Sequence, residues 1–229
     1  AKEVDVIIDN GGKLGEVNTT EWFGQVLKGG RISRYVVNHP CKNLGVAASW
    51  NYFLDHYGPH EPIVISNDDV VLGETAFEML EKLAREGHPR AGFGWALFMQ
   101  SPECTKKVGF YDENFWPAYY EDIDYMIRMR RAGVPDVRLE GIIDIEHAGF
   151  STTSALGDPD WLRDGRDRNR SYLIAKWGVE HAEHKEYEQP FNGRLPYKGW
   201  TGRGYVARLP LRFDIINGSS VANLVQGGV

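Results

Sequence analysis

The feature that most constrains this chain is an alternation. Short runs of β-branched and other apolar residues recur between segments with helical spacing, and the runs break at polar residues or glycine. "VDVIID" (4–9) reads as a buried strand that ends at Asn-Gly-Gly. "TTEWFGQVLKGG" (19–30) reads as a helix with a Thr cap and a Gly stop, and "SRYVVN" (33–38) as a second strand. "GVAASWNYFLDHYG" (45–58) reads as a helix closed by Gly58. "PIVIS" (62–66) reads as a third buried strand that runs straight into "NDD". Phe77, Leu80, Leu83 and Ala84 place a helix over 74–87, and "AGFGWALFM" (91–99) reads as one strand. "DVRLE" (136–140) and "IIDIEHAG" (142–149) read as further strands, followed by a polar helix over 160–177. Residues 178–229 read as an irregular tail rich in Gly, Pro and aromatics, with "LRFDII" (211–216) as its clearest strand.

Strands alternating with helices predict an α/β domain with a mainly parallel sheet flanked by helices. The domain is expected over 1–178, with 179–229 as a C-terminal extension packing on it. A chain of 229 residues can bury a sizeable core of this kind. No run approaches the ~18 apolar residues of a membrane-spanning helix, and no signal-peptide pattern is visible. Cys41 and Cys104 stand in no metal-binding spacing. These features predict a cytoplasmic protein with reduced thiols and no membrane span. A net charge of −6 argues against a broad nucleic-acid surface. The local basic clusters "RMRR" (128–131) and "RDGRDRNR" (163–170) read either as solvated helix faces or as sites for an anion.

In a parallel α/β sheet, ligands sit beyond the carboxyl ends of the strands. That directs attention to Asp9, Asn10, Asn67, Asp68, Asp69 and His147. Adjacent Asp68 and Asp69 repel, so they need a cation, a donor or solvent nearby. Mg2+ or Mn2+ held by one or two carboxylates together with substrate phosphates is a natural use. The competing use is an Asx turn that caps the next helix. His147 follows an apolar strand, and it gains significance only if it lies near Asp69.

A third group is "NFWPAYYEDIDYMIRMRRAG" (114–133), an aromatic, Pro-containing loop that leads into a helix starting near Tyr120. Asp124 and Arg128 are spaced for an ion pair. Glu121 and Asp122 fall in the first turn, where exposed N–H groups favour negative charge. Asp122 is then a carboxylate able to accept a proton from a hydroxyl, or simply an acid that stabilises the helix start.

Taken together, these stretches resemble the GT-A-fold nucleotide-sugar glycosyltransferases of the family-2 type, in particular the rhamnosyltransferase-like branch. The resemblance runs in order from about residue 4 to 178. It is carried by "VIIDNGG", by "NHPCKNLGVAASWN" with Asn43, Gly45 and Asn51, and by "ISNDDVVL" as a DxD-like motif. The most specific stretch is "GFGWALFMQSPECTKKVGFYDENFWPAYYEDIDYMIRMRRAG"; "EHAGFST" and "RNRSYLIAKWG" follow it.

The resemblance implies an inverting, Mn2+- or Mg2+-dependent transfer of a sugar from a UDP- or dTDP-sugar to a hydroxyl of a glycan, glycolipid or glycoprotein. It implies Asp122 as the catalytic base with Glu121 beside it, and Asp69 and His147 at the metal. It implies Asp9, Asn10, Asn43, Asn51, Asn67, Asp68, Trp95 and Arg170 on the nucleotide-sugar side, and Trp116 and Tyr119 as the acceptor wall. Arg168 and Lys176 would help offset charge on the diphosphate. The family carries a further strand and helix before its "VDNGS" strand, and 211–226 offers a substitute strand and helix. Three rival readings are a catalytically dead nucleotide-sugar or glycan-binding module, a glycosyltransferase acting on a hydroxylated DNA base, and a nucleotidyltransferase on a related fold.

Overall fold

The structure, a computed structural model, describes residues 6–8, 34–38, 44–56, 58–67, 69–73, 75–147, 157, 159–178 and 213–217. The chain divides into two compact units, Ala1–Leu44 with Val206–Val229, and Gly45–Tyr205. In the first unit, β1 (Val6–Ile8) lies parallel to β2 (Arg34–Asn38), and β9 (Phe213–Asn217) pairs antiparallel with β2. The strand order is β1-β2-β9, with Val36 between Val6 and Ile215. The helix expected over 19–30, and the residues Asp9, Asn10 and Asn43, lie outside the described residues.

The second unit runs α1 (Val46–His56), β3 (Ile63–Ser66), β4 (Val70–Leu72), α2 (Ala76–Arg85), β5 (Arg90–Phe93), β6 (Leu97–Gln100), α3 (Pro102–Val108), α4 (Glu121–Arg131), β7 (Val137–Arg138), β8 (Ile145–His147) and α5 (Asp160–Trp177). Its main sheet has the order β3-β6-β5-β7, and β4 pairs with β8 in a separate ribbon. The domain is thus mixed α/β, but the expected mainly parallel sheet is corrected. Among the described strands only β1–β2 and β5–β7 pair parallel; β3–β6, β5–β6, β4–β8 and β2–β9 are antiparallel.

The reason lies in 91–99, which is two strands rather than one. Gly94 stands at φ 53°, and the Ala96 N–H returns to the Phe93 carbonyl at 3.3 Å. The chain doubles back so that Phe93 faces Leu97, and strands joined by so tight a turn are antiparallel. Most of both strands is buried, and β6 is buried throughout, so the run shows no polar alternation to betray the turn.

The main sheet is covered on both faces. Leu97 and Met99 pack with Ala76, Leu80 and Leu83 of α2, whereas Phe98 points the other way, to Trp50 and Leu54 of α1 and Tyr125 of α4. Burying each large apolar side chain contributes about 1.5–3 kcal/mol. A third cluster joins Ile127 of α4 to Tyr172, Leu173 and Trp177 of α5 around Phe115. Helix α3 was not expected, although its signal is local: Ser101 Oγ accepts from the Cys104 N–H at 3.2 Å, and Pro102 opens the first turn. Among the described residues no helix is long and apolar enough to cross a membrane.

Candidate functional site

The aromatic loop before α4 is built by close approach. Gly45 stands at φ 81°, and a Cβ there would lie 2.7 Å from the Pro117 carbonyl oxygen and 2.8 Å from Trp116 Cδ1. The first N–H of α1, from Val46, donates to that same oxygen at 2.8 Å. Tyr119 and Tyr120 then adopt φ values of 76° and 74°. Each such residue costs about 1–3 kcal/mol and persists only where its surroundings over-determine it. Tyr120 is the N-cap of α4, and Glu121 and Asp122 follow in its first turn.

Both carboxyls are perturbed. Burial pushes Glu121 well above the usual carboxylate range, and the neighbouring Asp122 charge adds to this. Its Oε2 is buried without a hydrogen-bond partner. Burial also raises Asp122, opposed by the Ile123 N–H, which donates to Asp122 Oδ1 at 2.8 Å, and by the charge of Arg90. Two adjacent acids thus share a site in which burial and mutual repulsion both favour holding a proton.

Beneath the loop lies a buried charge network. Asp124 accepts from Arg128 Nε at 2.9 Å, the expected pair, and also from Trp177 Nε1 at 2.8 Å; Lys176 Nζ lies 2.7 Å away. Lys176 and Tyr172 both donate to Asp112, at 2.6 and 2.8 Å. Burial alone would raise Asp112, but Lys176, the Asn114 N–H and Tyr172 outweigh it and hold the carboxyl low. Lys176, expected beside a diphosphate, is therefore engaged in joining α5 to α4 and its loop. Of the "RMRR" cluster, Arg128 is buried on Asp124 and Arg131 lies over the Trp177 ring at 5.0 Å.

A second polar group forms at the ribbon. Its register sets Val70 opposite His147, which brings His147 Nε2 to 3.3 Å from Asp69 Oδ1. Asn67 ends β3, and its N–H donates to Ala96 in the turn that carries Trp95. Arg90 underlies that turn. Its guanidinium sits 3.9 Å from the Trp95 ring centroid, donates to the Gly94 carbonyl at 2.8 Å and pairs with Asp136. Asp68 lies outside the described residues. Among those described, no group of three or more His, Cys, Asp or Glu side chains could hold a metal ion.

The structure thus joins Glu121 with Asp122, Asp69 with His147, and Asn67 with the Trp95 turn. Tyr119 meets Arg166 of α5, whose guanidinium lies 6.0 Å from its ring centroid. Asn51, expected at the nucleotide sugar, instead clamps backbone. Its amide donates to the Tyr111 carbonyl and to Glu113 and accepts from the Tyr111 N–H. Arg170 is exposed on α5. Sequence reasoning missed Arg90, Asp112 and Asn169, because nothing local distinguishes them from surface polar residues. Neither the comparison with protein-family models nor that with curated proteins finds a match for the chain.

Proposed function

We propose that the chain is an inverting, metal-dependent glycosyltransferase of GT-A architecture. It moves a sugar from a UDP- or dTDP-linked donor to a hydroxyl of a glycan, glycolipid or glycoprotein. The observation that carries this reading is the helix start: adjacent carboxyls, Glu121 and Asp122, presented by a loop held in a left-handed conformation.

Asp122 takes the proton of the acceptor hydroxyl while that oxygen bonds to the anomeric carbon. The bond from this carbon to the diphosphate oxygen breaks on the opposite face, its electron pair leaves with the diphosphate, and configuration inverts. Burial strengthens Asp122 as a base by raising its proton affinity, while the Ile123 N–H and Arg90 stabilise its ionised form. Glu121, pushed toward its neutral form, adds little second charge and can donate to a substrate oxygen. Trp116 and Tyr119 wall the acceptor side, and Asn67, Asp68 and Trp95 serve the nucleotide sugar.

Asp69 and His147 would hold Mn2+ or Mg2+. Their 3.3 Å separation suits neighbouring ligands of one octahedral ion, which stand about 3 Å apart. A carboxylate and an imidazole leave most of the shell to substrate phosphates and water, as such ions prefer. A bound divalent ion offsets charge on the leaving diphosphate. The engagement of Arg128 and Arg131 weighs against a DNA acceptor.

The test is a thermal-shift series with UDP, dTDP and their sugars, each with Mn2+, Mg2+ or chelator. Ligand binding to the native state raises its apparent stability. A metal-dependent rise that Asp69→Ala abolishes supports the reading. Asp122→Asn should keep that rise and lower transfer by about 10²–10⁴-fold; an unchanged rate removes Asp122 as base. Binding without turnover in the unmodified protein makes it a binding module, and no shift with any nucleotide refutes the proposal.

A further inference from the structure

Nothing in the local sequence of 118–120 favours the backbone it adopts, since tyrosine gains nothing from the left-handed region. What holds it there comes from α5. Gly165 lies against Pro117 so closely that a Cβ would meet Pro117 Cδ at 2.5 Å. One turn on, Asn169 is fully buried, and its Nδ2 donates to the carbonyls of both Ala118 and Tyr119, at 2.8 and 3.1 Å. Those two carbonyls belong to the peptide planes on either side of Tyr119. Further along the helix, Tyr172 and Lys176 hold Asp112 before the loop, while Lys176 and Trp177 hold Asp124 after it. Helix α5 therefore grips the segment that delivers Glu121 and Asp122 at its start, middle and end.

A side chain that merely filled the space between helix and loop would not need a carboxamide. A leucine there would bury more apolar surface and leave no polar group to satisfy. A carboxamide whose two N–H bonds meet consecutive carbonyls fixes both peptide planes, and with them the backbone angles of the residue between. We infer that Asn169 is the positioning residue of the Glu121–Asp122 pair: its Nδ2 locks the planes flanking Tyr119 and so sets the direction from which α4 presents the two carboxyls. This rests on the glycosyltransferase reading for what the pair does, and on geometry alone for how it is held.

The test combines NMR with steady-state kinetics on the whole chain. In the unmodified protein the Asn169 side-chain amide protons should exchange with solvent at least about 100-fold more slowly than those of a free asparagine. Exchange at the free rate overturns the inference whether or not any variant folds. In Asn169→Ala, amides 119–123 should lose protection while those of β5 and β6 keep theirs, and the Glu121 and Asp122 carboxyls should titrate closer to ordinary values. Turnover should fall at least about tenfold with the donor KM within about twofold. Unchanged titration, or a loss of protection spread evenly over the unit, overturns it. If the unmodified protein transfers no sugar, the exchange and titration results still decide the role of Asn169, while the transferase reading falls separately.

Discussion

Replacing Asp124 by asparagine removes one negative charge from the centre of the second unit and little else. The side chain is fully buried, and asparagine preserves its volume and an acceptor for Trp177 Nε1. What disappears is the charge facing Arg128 Nε at 2.9 Å and Lys176 Nζ at 2.7 Å. Removing one partner from a buried pair costs about 3–5 kcal/mol, because the other charge stays desolvated. The lower end applies here. Lys176 keeps Asp112 at 2.6 Å, and Arg128 keeps the Val108 carbonyl at 2.9 Å. In a chain of 229 residues each kcal/mol moves the melting temperature by about 2–4 °C, so Asp124→Asn should lower it by about 6–12 °C. Urea and thermal unfolding followed by circular dichroism measure this directly. In an Arg128→Met background the same substitution should be milder by about 1 kcal/mol or more, because the stranded cation is gone. A melting shift within about 2 °C, or identical losses in the two backgrounds, would refute the view that this network holds α4 to α5.

Two further perturbations probe the loop. In the native state Glu121 keeps its proton at pH values where the unfolded chain has lost it, so its contribution is complete at low pH and lost as pH rises through the raised value. Glu121→Gln should therefore gain stability relative to the unmodified protein between about pH 4 and pH 8, and a flat or reversed difference across that range sinks the argument. Gly165→Ala sets two effects against each other: alanine improves helix propensity by about 1 kcal/mol, but its Cβ would meet the rigid Pro117 ring at 2.5 Å. Overpacking of about 1–3 kcal/mol should prevail, and a raised melting temperature would show that the loop yields freely.

Much of the local framework was legible beforehand. The helices over 46–56, 76–85 and 160–177 follow from apolar spacing and from glycine stops or capping residues. The Asp124–Arg128 pair needed only a helix that starts near Tyr120. The turn at Gly94 was lost because buried strands show no alternation, and a glycine between apolar residues looks like part of the run. Asn51 was expected to face a ligand and instead clamps the Tyr111 backbone, a use that depends on a partner 60 residues away. Asn169 was hidden inside a charged stretch that reads as a solvated face, and only docking against the loop reveals why it is buried.

What the sequence determined by itself is whatever depends on neighbours within a turn or two: where most helices begin and end, which runs are buried, and that Glu121 and Asp122 share a first turn. The tertiary structure alone decided the antiparallel direction of the sheet, the ribbon register that carries His147 to Asp69, and the grip of α5 on the loop. The division has a physical cause. Periodicity and capping act between residues the chain already holds close, whereas register and docking are chosen by which distant surfaces can bury apolar area and satisfy polar groups together.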